Sequence, residues 1–348
     1  MKVALDAMGG DNAPASVVEG AVLAAREYAV DILLVGDETV VRAELARHSW
    51  EGLPLSIIHA GQKVEMDESP SLVVRKKRDS SIWIATDLVK RGEASAVISA
   101  GNTGASMATS LFILGTLSGV ERPAIATLLP TVTGTSLMLD VGANVDCKPI
   151  HLLQFAIMGH VFVQKILGVA SPRLGLLSIG EEDSKGNELT KEVFKGLKRL
   201  PLNFIGNVEG REVYAGGADV VVCDGFIGNV ALKISEGLSD AIIKFLRREI
   251  LRSIRGRIGY YFLKPAFSRF KKKIDYAEYG GAPLLGIQGI SIICHGRSSP
   301  KAIKNAIKVA VEFSERGIND CIKHDIERYL ACHARQDEGE PRRAEGEK

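Results

Sequence analysis

Five short segments rich in glycine and asparagine hold the residue types and spacings that could do chemistry in this sequence. They are Asp6 to Pro14, Ser99 to Ala105, Asp140 to Pro149, Ser178 to Asn187 and Asp224 to Asn229. Five of the nine asparagines of the chain lie in these segments: Asn12, Asn102, Asn144, Asn187 and Asn229. Amide and backbone N–H groups can hold an anion or a developing oxyanion without a counter-charge. The same residue types favour turns and helix N-caps, so both interpretations stay open for each asparagine.

Two lysines add positive charge to this set. Lys185 lies just before a helix expected to begin near Asn187, and Lys148 precedes Pro149, a residue favoured at the first helical position. Either lysine, taken alone, could be a solvated side chain. Together with the amides, they indicate an anion-binding site.

Motifs of the common cofactor and nucleophile sites are absent from the sequence. It contains no G-x-G, no P-loop pattern, no G-x-S-x-G, and no H-E-x-x-H among its seven histidines. The acidic run Glu181-Glu182-Asp183 could suggest Mg²⁺, but adjacent residues cannot all face one ion, so solvent exposure or pairing with Lys185 is the favoured interpretation. The sequence therefore predicts no bound metal and no cofactor.

The elements that must position these segments are short strands that alternate with helix-length stretches. The predicted strands are Val3 to Ala7, Ile32 to Gly36, Leu55 to Ala60, Ala96 to Ala100, Ser136 to Asp140, Leu174 to Ile179 and Val220 to Cys223. This alternation predicts an α/β fold with a doubly wound, mostly parallel sheet. Because each segment follows a strand and precedes a helix, we expect all five along the carboxyl edge of that sheet, where helix N-termini bind anions.

Composition and cysteine usage indicate an ordinary globular protein of the reducing cytoplasm. The 348 residues are 46% hydrophobic and 25% charged, with a formal net charge of +2. The five cysteines form no C-x-x-C pair, and Met1 opens directly into a predicted strand without a signal peptide. Ala94 to Val120 is uncharged over 27 residues, but its serines and its Gly-Asn-Thr-Gly turn favour a buried strand followed by a packed helix over a membrane span.

One window is strongly basic. Residues 244–273 hold eleven basic residues against the single acid Glu249, so the window carries +10 and the remainder of the chain −8. Apolar residues recur every four positions through it: Ile242, Leu246, Ile250, Ile254, Ile258 and Phe262. Gly256 and Gly259 predict a break between two helices, so the window is expected to be a protruding basic amphipathic hairpin.

An anionic membrane surface or an acidic protein is the partner that this predicted hairpin favours. A solvated helix packed on the core is the simpler alternative. Nucleic acid is not expected as a partner, because no nucleic-acid-binding motif accompanies the window and the rest of the chain is acidic.

The predicted organisation is one large α/β domain over residues 1–333, from which the hairpin, residues 240–275, protrudes. Residues 334–348 are polar and are expected to form a disordered tail.

The glycine and asparagine segments resemble those of a known family. The segments that carry the resemblance are Ala4 to Pro14, Ser99 to Ala105, Asp140 to Asn144, Gly180 to Glu188, Asp224 to Asn229 and Gly281 to Gly286. In this order, from about Met1 to Arg328, they are similar to the bacterial acyl-(acyl-carrier-protein):phosphate acyltransferases of phospholipid synthesis. The polar extension after Arg328 departs from the family pattern without touching any of these segments.

This resemblance implies a fold like that of phosphotransacetylases and isocitrate dehydrogenases. It also implies transfer of a fatty acyl group from acyl carrier protein to inorganic phosphate. The acyl phosphate formed would be used by a membrane-bound glycerol-3-phosphate acyltransferase. A homodimer in the cytoplasm, peripherally associated with the inner face of the cell membrane, is the further expectation.

The residues of the segments suit that reaction, because phosphate is already anionic and needs orientation and oxyanion donors rather than a Ser or Cys nucleophile. We expect Lys185 and Asn229 to be the catalytic pair. The predicted phosphate and oxyanion ligands are Asn102, Thr103 and Gly104 as the phosphate cradle, Asn144 and Asn187 as supporting donors, and Asp224 orienting the Asn229 segment. The residues expected to meet the membrane or the carrier protein are Leu246, Ile250, Arg252, Ile254, Arg255 and Ile258.

Two other functions stay open at this point. A metal-dependent decarboxylating dehydrogenase of similar fold would use Glu182 or Asp183 together with Asp224 to bind Mg²⁺. A non-catalytic scaffold that binds membrane or carrier protein would keep the basic hairpin without needing the asparagine segments.

Overall fold

The computed structural model describes residues 1–274 and 280–339, and the side chains of residues 1–267, 270 and 280–329. Its strands are β1 (Lys2–Asp6), β2 (Asp31–Gly36), β3 (Leu55–His59), β4 (Ala96–Ser99), β5 (Ala124–Pro130), β6 (Thr135–Leu139), β7 (Leu174–Leu177), β8 (Phe204–Val208), β9 (Val220–Val222), β10 (Ala282–Leu285) and β11 (Ile290–Ile293). The helices are α1 (Ala15–Glu27), α2 (Glu38–Leu45), α3 (Pro70–Lys76), α4 (Ser81–Lys90), α5 (Thr103–Leu114), α6 (Pro149–Phe162), α7 (Glu188–Arg199), α8 (Gly210–Ala215), α9 (Gly225–Leu251), α10 (Ile254–Ile274), α11 (Pro300–Glu315) and α12 (Ile318–Gly339).

The strands form one sheet in the order β3-β2-β1-β4-β11-β10-β5-β6-β9-β7-β8. One face is covered by α1, α2, α6, α7, α11 and α12, and the other by α4, α5, α8 and α9. The doubly wound, mostly parallel α/β prediction is therefore confirmed. All seven predicted strands are present, and each of the five glycine and asparagine segments connects a strand to a helix.

The prediction that all five segments share one edge of the sheet is wrong. Strands β1 to β4, β11 and β5 run in one direction, whereas β10, β6, β9, β7 and β8 run in the other. The segments after β1 and β4 therefore lie at one edge. The three segments after β6, β7 and β9 lie at the opposite edge.

A hairpin between β5 and β6 reverses the strand direction. The two strands pair antiparallel across the short turn of residues 131–134, with Pro130 opposite Thr135. A strand that follows a tight hairpin must run backwards, whereas the helical crossovers after it preserve the new direction. The sequence analysis missed β5, as it missed β8, β10 and β11, and therefore did not reveal the reversal.

The central helix of the core is α6, which packs between α7, α12 and strands β6 and β9. A π-helical turn, Val163–Leu167, extends it. Within the described part of the chain, Pro149–Leu167 is the one helical stretch long and apolar enough to cross a membrane, and 72% of its most apolar window is buried inside the protein. The uncharged stretch discussed above forms β4 and α5, as predicted.

A buried carboxylate organises each edge of the sheet. At the β6 edge, Asp140 accepts hydrogen bonds from the backbone N–H groups of Ile125 (3.0 Å), Ala143 (3.0 Å) and Asn144 (2.7 Å), and from Nδ2 of Asn144 (2.9 Å). At the β1 edge, buried Asp6 accepts from Oγ of Ser99 at 2.7 Å. Burial raises the pKa of both carboxyl groups, and the hydrogen bonds oppose that shift.

The basic hairpin is present, but its break lies at Arg252 and Ser253, before the predicted Gly256 and Gly259. Both glycines lie inside α10, which also contains Pro265. Beyond its start, α9 contacts mainly α10, so the hairpin projects from the domain.

The last helix extends into the stretch expected to be a polar tail. Helix α12 continues through Gly339, because alanine, arginine, glutamine and glutamate are good helix formers that need no packing partner to extend an existing helix. Residues 340–348 lie outside the described residues.

Replacing Asp140 by alanine should destabilise the fold, because it leaves buried N–H groups at the β5 and β6 edge without an acceptor. We expect the free energy of unfolding, measured by urea denaturation, to fall by at least about 3 kcal/mol. Asp146→Ala, an exposed acid on the same segment, is the matched control and should change it by less than about 0.5 kcal/mol. A loss under about 1 kcal/mol for Asp140→Ala would contradict this organising role.

Candidate active site

A groove of about 410 Å³ runs beneath α9 over the sheet face formed by β5, β10 and β11. Its walls include the apolar side chains Ile125, Leu129, Leu232, Ile243 and Ile293. Its polar lining includes Thr103, Asn229, Lys233, Glu236, His295 and Ser298. An apolar channel with a few polar groups is the usual form of a small-molecule site.

The groove joins the two edges of the sheet. Thr103 begins α5 after β4, and Asn229 lies in the first turn of α9 after β9, at the opposite edge. Both side chains line the groove. Predicted site residues from opposite edges therefore line one groove, although they do not share an edge.

The first turn of α9 is held by contacts that place Asn229. Asp224 caps the helix by accepting from the backbone N–H of Ile227 at 2.9 Å, and the N–H of Gly225 donates to the carbonyl oxygen of Asn144 at 2.8 Å. Gly228 lies so close to the carbonyl oxygen of Asp140 that a Cβ there would be 1.9 Å away. Asn229 itself is exposed, and no hydrogen bond of its amide is found among the described residues.

Asn144 holds the loop after β6 in place and does not line the groove. Its Nδ2 donates to the carbonyl oxygen of Pro123 at 2.7 Å and to Oδ2 of Asp140 at 2.9 Å. Both amide protons are used, so the amide side chain positions the loop. Its contact with α9 is made by its backbone carbonyl oxygen, which accepts from the N–H of Gly225.

At the β4 edge, the three predicted cradle residues differ in their environment. Asn102 caps α5 by accepting from the N–H of Ala105 at 2.9 Å, while its Nδ2 donates to the carbonyl oxygens of Met66 and Glu68 at 2.9 Å each. A Cβ at Gly104 would lie 2.7 Å from Cγ of Pro70, so this position needs glycine. Thr103 faces the groove beside the first N–H groups of α5, which are the natural anion donors.

The Lys185 segment lies at the same edge as Asn229, since β7 is the neighbour of β9 in the sheet. Asn187 caps α7 by accepting from the backbone N–H of Thr190 at 2.9 Å. Lys185 is exposed, no partner for its ammonium is found in the described part of the chain, and it is not among the residues that line the groove.

The sequence analysis missed the contribution of the loop after β11. His295 and Ser298 line the groove, and Ser299 caps α11 by accepting from the N–H of Ala302 at 3.2 Å. Serine followed by Pro300 is a helix-start signal that was available in the sequence. Without β11, however, this loop was not recognised as another strand-to-helix connection.

The cysteines near the site are held as neutral thiols. Burial raises the pKa of Cys147 to about 11 and that of Cys294, which lines the groove, to about 12. The pKa of Cys223 is also raised by burial. Because the thiolate is the nucleophilic form, none of these three groups is suited to form an acyl-cysteine intermediate.

Three of the four acidic residues considered for a metal site, Glu181, Asp183 and Asp224, have other roles. Asp183 forms an ion pair with Lys198 at 2.5 Å, Glu181 pairs with Arg211 at 3.0 Å, and Asp224 caps α9. Over residues 1–274 and 280–339, no group of three or more His, Cys, Asp or Glu residues has an arrangement that could hold a metal ion.

Comparison with known proteins matches nearly the whole chain. A family model described as "Fatty acid synthesis protein" matches residues 1–321. The chain is 56% identical over 336 residues, or 97% of each chain, to a protein of Geobacter sulfurreducens named phosphate acyltransferase. It is 57% identical over 341 residues, covering 98% of this chain and 97% of the relative, to a phosphate acyltransferase of Citrifermentans bemidjiense.

Two solved structures share the fold. A phosphotransacetylase from Streptococcus pyogenes has a TM-score of 0.61 at 19% identity, over 90% of this chain and 94% of that one. The EutD phosphotransacetylase from Staphylococcus aureus has a TM-score of 0.57 at 17% identity, with the same coverage of 90% and 94%. The prediction of a phosphotransacetylase-like fold is therefore confirmed.

The two exposed polar residues at the β9 and β7 edge provide a direct test of the predicted catalytic pair. We expect Lys185→Ala and Asn229→Ala each to lower the rate of acyl transfer to phosphate by about 10²-fold or more, the usual loss when one transition-state donor is removed. Lys191→Ala, an exposed lysine on α7, is the matched control and should leave the rate unchanged. Near-normal turnover by a folded Lys185 or Asn229 variant would remove that residue from the pair.

Proposed function

The chain belongs to the fatty acid synthesis protein family that includes the bacterial phosphate acyltransferases, and we propose that it transfers a fatty acyl group from acyl carrier protein to inorganic phosphate in the groove beneath α9. The activity of this family, acyl transfer to phosphate, makes the chain a transferase. The dehydrogenase alternative is not favoured. Two parts of this function are proposals: that acyl carrier protein is the acyl donor, and that the product is an acyl phosphate.

The observation that carries the proposal is an apolar groove lined by residues of both predicted donor sets, Thr103 and Asn229. From Asn229 to Ile243, α9 covers roughly 21 Å at about 1.5 Å per residue. An extended polypeptide advances about 3.6 Å over three bonds, so a saturated chain of about 17 bonds has a similar length. A long fatty acyl chain therefore fits along the groove, and its apolar walls would shield that chain from water.

The chemistry that the site must perform is modest. An oxygen of phosphate attacks the thioester carbonyl carbon, the adduct collapses, and the carrier's sulfur leaves as a thiolate. Phosphate brings its own negative charge, so the protein must orient it and stabilise the oxyanion. Thr103 with the N-terminus of α5 would hold phosphate, while Asn229 and Lys185 would supply donors to the developing charge.

Phosphate-dependent release of free carrier protein from a long-chain acyl carrier protein tests this function. We expect release only when phosphate is present, with an acyl phosphate recovered as its hydroxamate after trapping with hydroxylamine. Activity should persist in EDTA, because the proposed steps use no metal. Carrier binding without turnover would favour the scaffold alternative, and activity restored specifically by Mg²⁺ would favour a metal-dependent enzyme.

The outer face of α9 supports a homodimer. Val230, Ile234, Leu238, Ile242 and Phe245 are all exposed and recur every three or four positions. At 100° per residue, this row lies opposite the groove-lining residues of the same helix. An apolar stripe of this length on a projecting helix is suited to pack against the same stripe of a second copy.

The tip of the hairpin supports peripheral attachment to the inner face of the cell membrane. Ile254 is 76% exposed, and Tyr261 and Phe262 are each 75% exposed. Leu246 and Ile258 are exposed as well, among exposed basic residues that include Arg252 and Arg255. Such a surface can insert apolar groups into a bilayer while its cations meet anionic headgroups, each contributing about 1 kcal/mol. Attachment of this kind would bring an acyl phosphate to a membrane-bound glycerol-3-phosphate acyltransferase.

Vesicle sedimentation tests the hairpin as a lipid-binding element. We expect Ile254→Asp to release the protein from vesicles containing anionic lipid without loss of soluble turnover. Val132→Asp, which alters a similarly exposed residue on the β5–β6 turn, is the matched control and should leave binding unchanged. The hairpin binds acyl carrier protein instead of lipid if two results are found together. Ile254→Asp leaves vesicle binding unaffected, and replacing Arg252 and Arg255 by glutamate raises the KM for acyl carrier protein.

A further inference from the structure

A run of four basic residues, Arg75 to Arg78, lies at the C-terminal end of α3, and the sequence has no other run of this length. Arg75, Lys76 and Arg78 are exposed. Lys77 is partly buried, and its ammonium donates to the carbonyl oxygen of Lys63 at 2.8 Å. Lys77 therefore ties the end of α3 to the preceding loop, whereas the other three cations face solvent.

Most of the acidic residues around this run already have partners. Within residues 63–79, Glu65 pairs with Lys63 at 2.8 Å, Glu68 pairs with Lys77 at 2.6 Å, and Asp79 accepts from the backbone N–H of Gly61 at 3.1 Å. The fourth acid, Asp67, is exposed. No ion pair of Arg75 or Lys76 is found in the part of the chain that the structure describes. These two charges are therefore available to a partner of opposite charge.

An aromatic pair lies beside the basic run. The guanidinium of Arg78 lies over the ring of Trp83 on α4, 5.6 Å from its centroid. The centroid of that ring is 5.7 Å from the centroid of the Phe112 ring on α5, and Phe112 is 61% exposed. Exposed aromatic side chains next to arginine are the residue types enriched in protein–protein interfaces. We call the set Arg75, Lys76, Arg78, Trp83 and Phe112 the α3–α5 surface.

The α3–α5 surface adjoins the part of the groove where phosphate is proposed to bind. Pro70, the first residue of α3, lies so close to Gly104 that a Cβ there would be 2.7 Å from Cγ of Pro70. The residue before Gly104 is Thr103, which lines the groove. Lys76 is six residues after Pro70, so the basic run begins only about 9 Å further along α3. A partner bound to this surface would therefore lie next to the proposed phosphate site.

We propose that the α3–α5 surface is where acyl carrier protein docks, with the basic residues against the acidic surface of the carrier and Phe112 in the apolar centre of the contact. This inference rests on the proposed function. It places the carrier beside Thr103, so that the thioester can meet phosphate at the start of α5.

The position of the surface favours an acidic protein over a bilayer as its occupant. Helices α3, α4 and α5 pack against one another on the body of the domain, whereas the basic hairpin projects from it. The hairpin also exposes Ile254, Tyr261 and Phe262 by 75% or more, which suits insertion into lipid. With lipid at the hairpin and the carrier at the α3–α5 surface, the protein could receive an acyl chain while it stays on the membrane.

Reversal of the two unpaired charges tests the docking site. We expect Arg75→Glu combined with Lys76→Glu to raise the Kd for a fluorescently labelled carrier without an acyl group, measured by anisotropy, at least about tenfold. The KM for the acylated carrier should rise in parallel. The kcat and the KM for phosphate should change little, because docking is common to the ground state and the transition state. Lys191→Glu combined with Lys195→Glu, on the exposed face of α7, is the matched control.

The apolar and ionic parts of the contact can be measured separately. We expect Phe112→Ser to raise the carrier Kd about fivefold or more, with Ile205→Ser at an exposed position of β8 as its control. Added NaCl should weaken carrier binding by the wild type and by Phe112→Ser. It should weaken binding by the charge-reversed protein less steeply, since fewer ionic contacts remain to be screened. Thermal unfolding shows whether each variant keeps its fold.

Folded variants that bind the carrier as tightly as the wild type would overturn the inference. If the same variants instead lose binding to vesicles of anionic lipid, or change the oligomeric state measured by light scattering, the surface belongs to lipid or to a second copy. Because the carrier used for binding holds no acyl group, these results do not depend on turnover. Absence of phosphate-dependent release by the wild type would overturn the proposed function instead.

Discussion

The carboxylate of Asp140 is the constraint on which the site depends most directly. It is buried at the end of β6, where four hydrogen bonds converge on it from the start of β5 and from its own loop. Through Asn144, the same network reaches the first turn of α9, and Gly228 of that turn packs against the Asp140 carbonyl. A charge out of water is tolerated only with such a set of donors, so the geometry of the loop is tightly specified.

Asp6 gives the other edge a similar organisation. Its contact with Ser99 joins the segment after β1 to the segment after β4, and the N–H of Gly101 donates to Oγ of the same serine at 3.0 Å. The two aspartates follow leucines at the ends of β1 and β6, which belong to oppositely directed parts of the sheet. Each therefore organises the segments at one edge of the sheet and does not itself line the groove.

Helix α9 combines three roles because its faces differ. Its first turn presents Asn229, its inner face covers the groove, and its outer face bears an exposed apolar row. Its far end joins α10 in the basic hairpin. In the proposed function, a single rigid element therefore links the reacting centre, the acyl chain, the second copy and the membrane. This arrangement places an insoluble product close to the surface that would accept it.

Local sequence patterns determined the strand-to-helix connections, the doubly wound class and the basic hairpin, because side-chain periodicity and turn residues act over a few positions. The reversal at the β5–β6 hairpin, and with it the distribution of the segments between two edges, depends on pairings between strands far apart in the chain. Amide chemistry alone also left open which asparagines have structural roles and which line the groove. In the tertiary structure, the amide N–H groups of Asn102 and Asn144 donate to nearby oxygen atoms of the protein, whereas Asn229 lines the groove. It likewise brought His295 into the site, since only the packing of β11 beside β4 places that loop beneath α9.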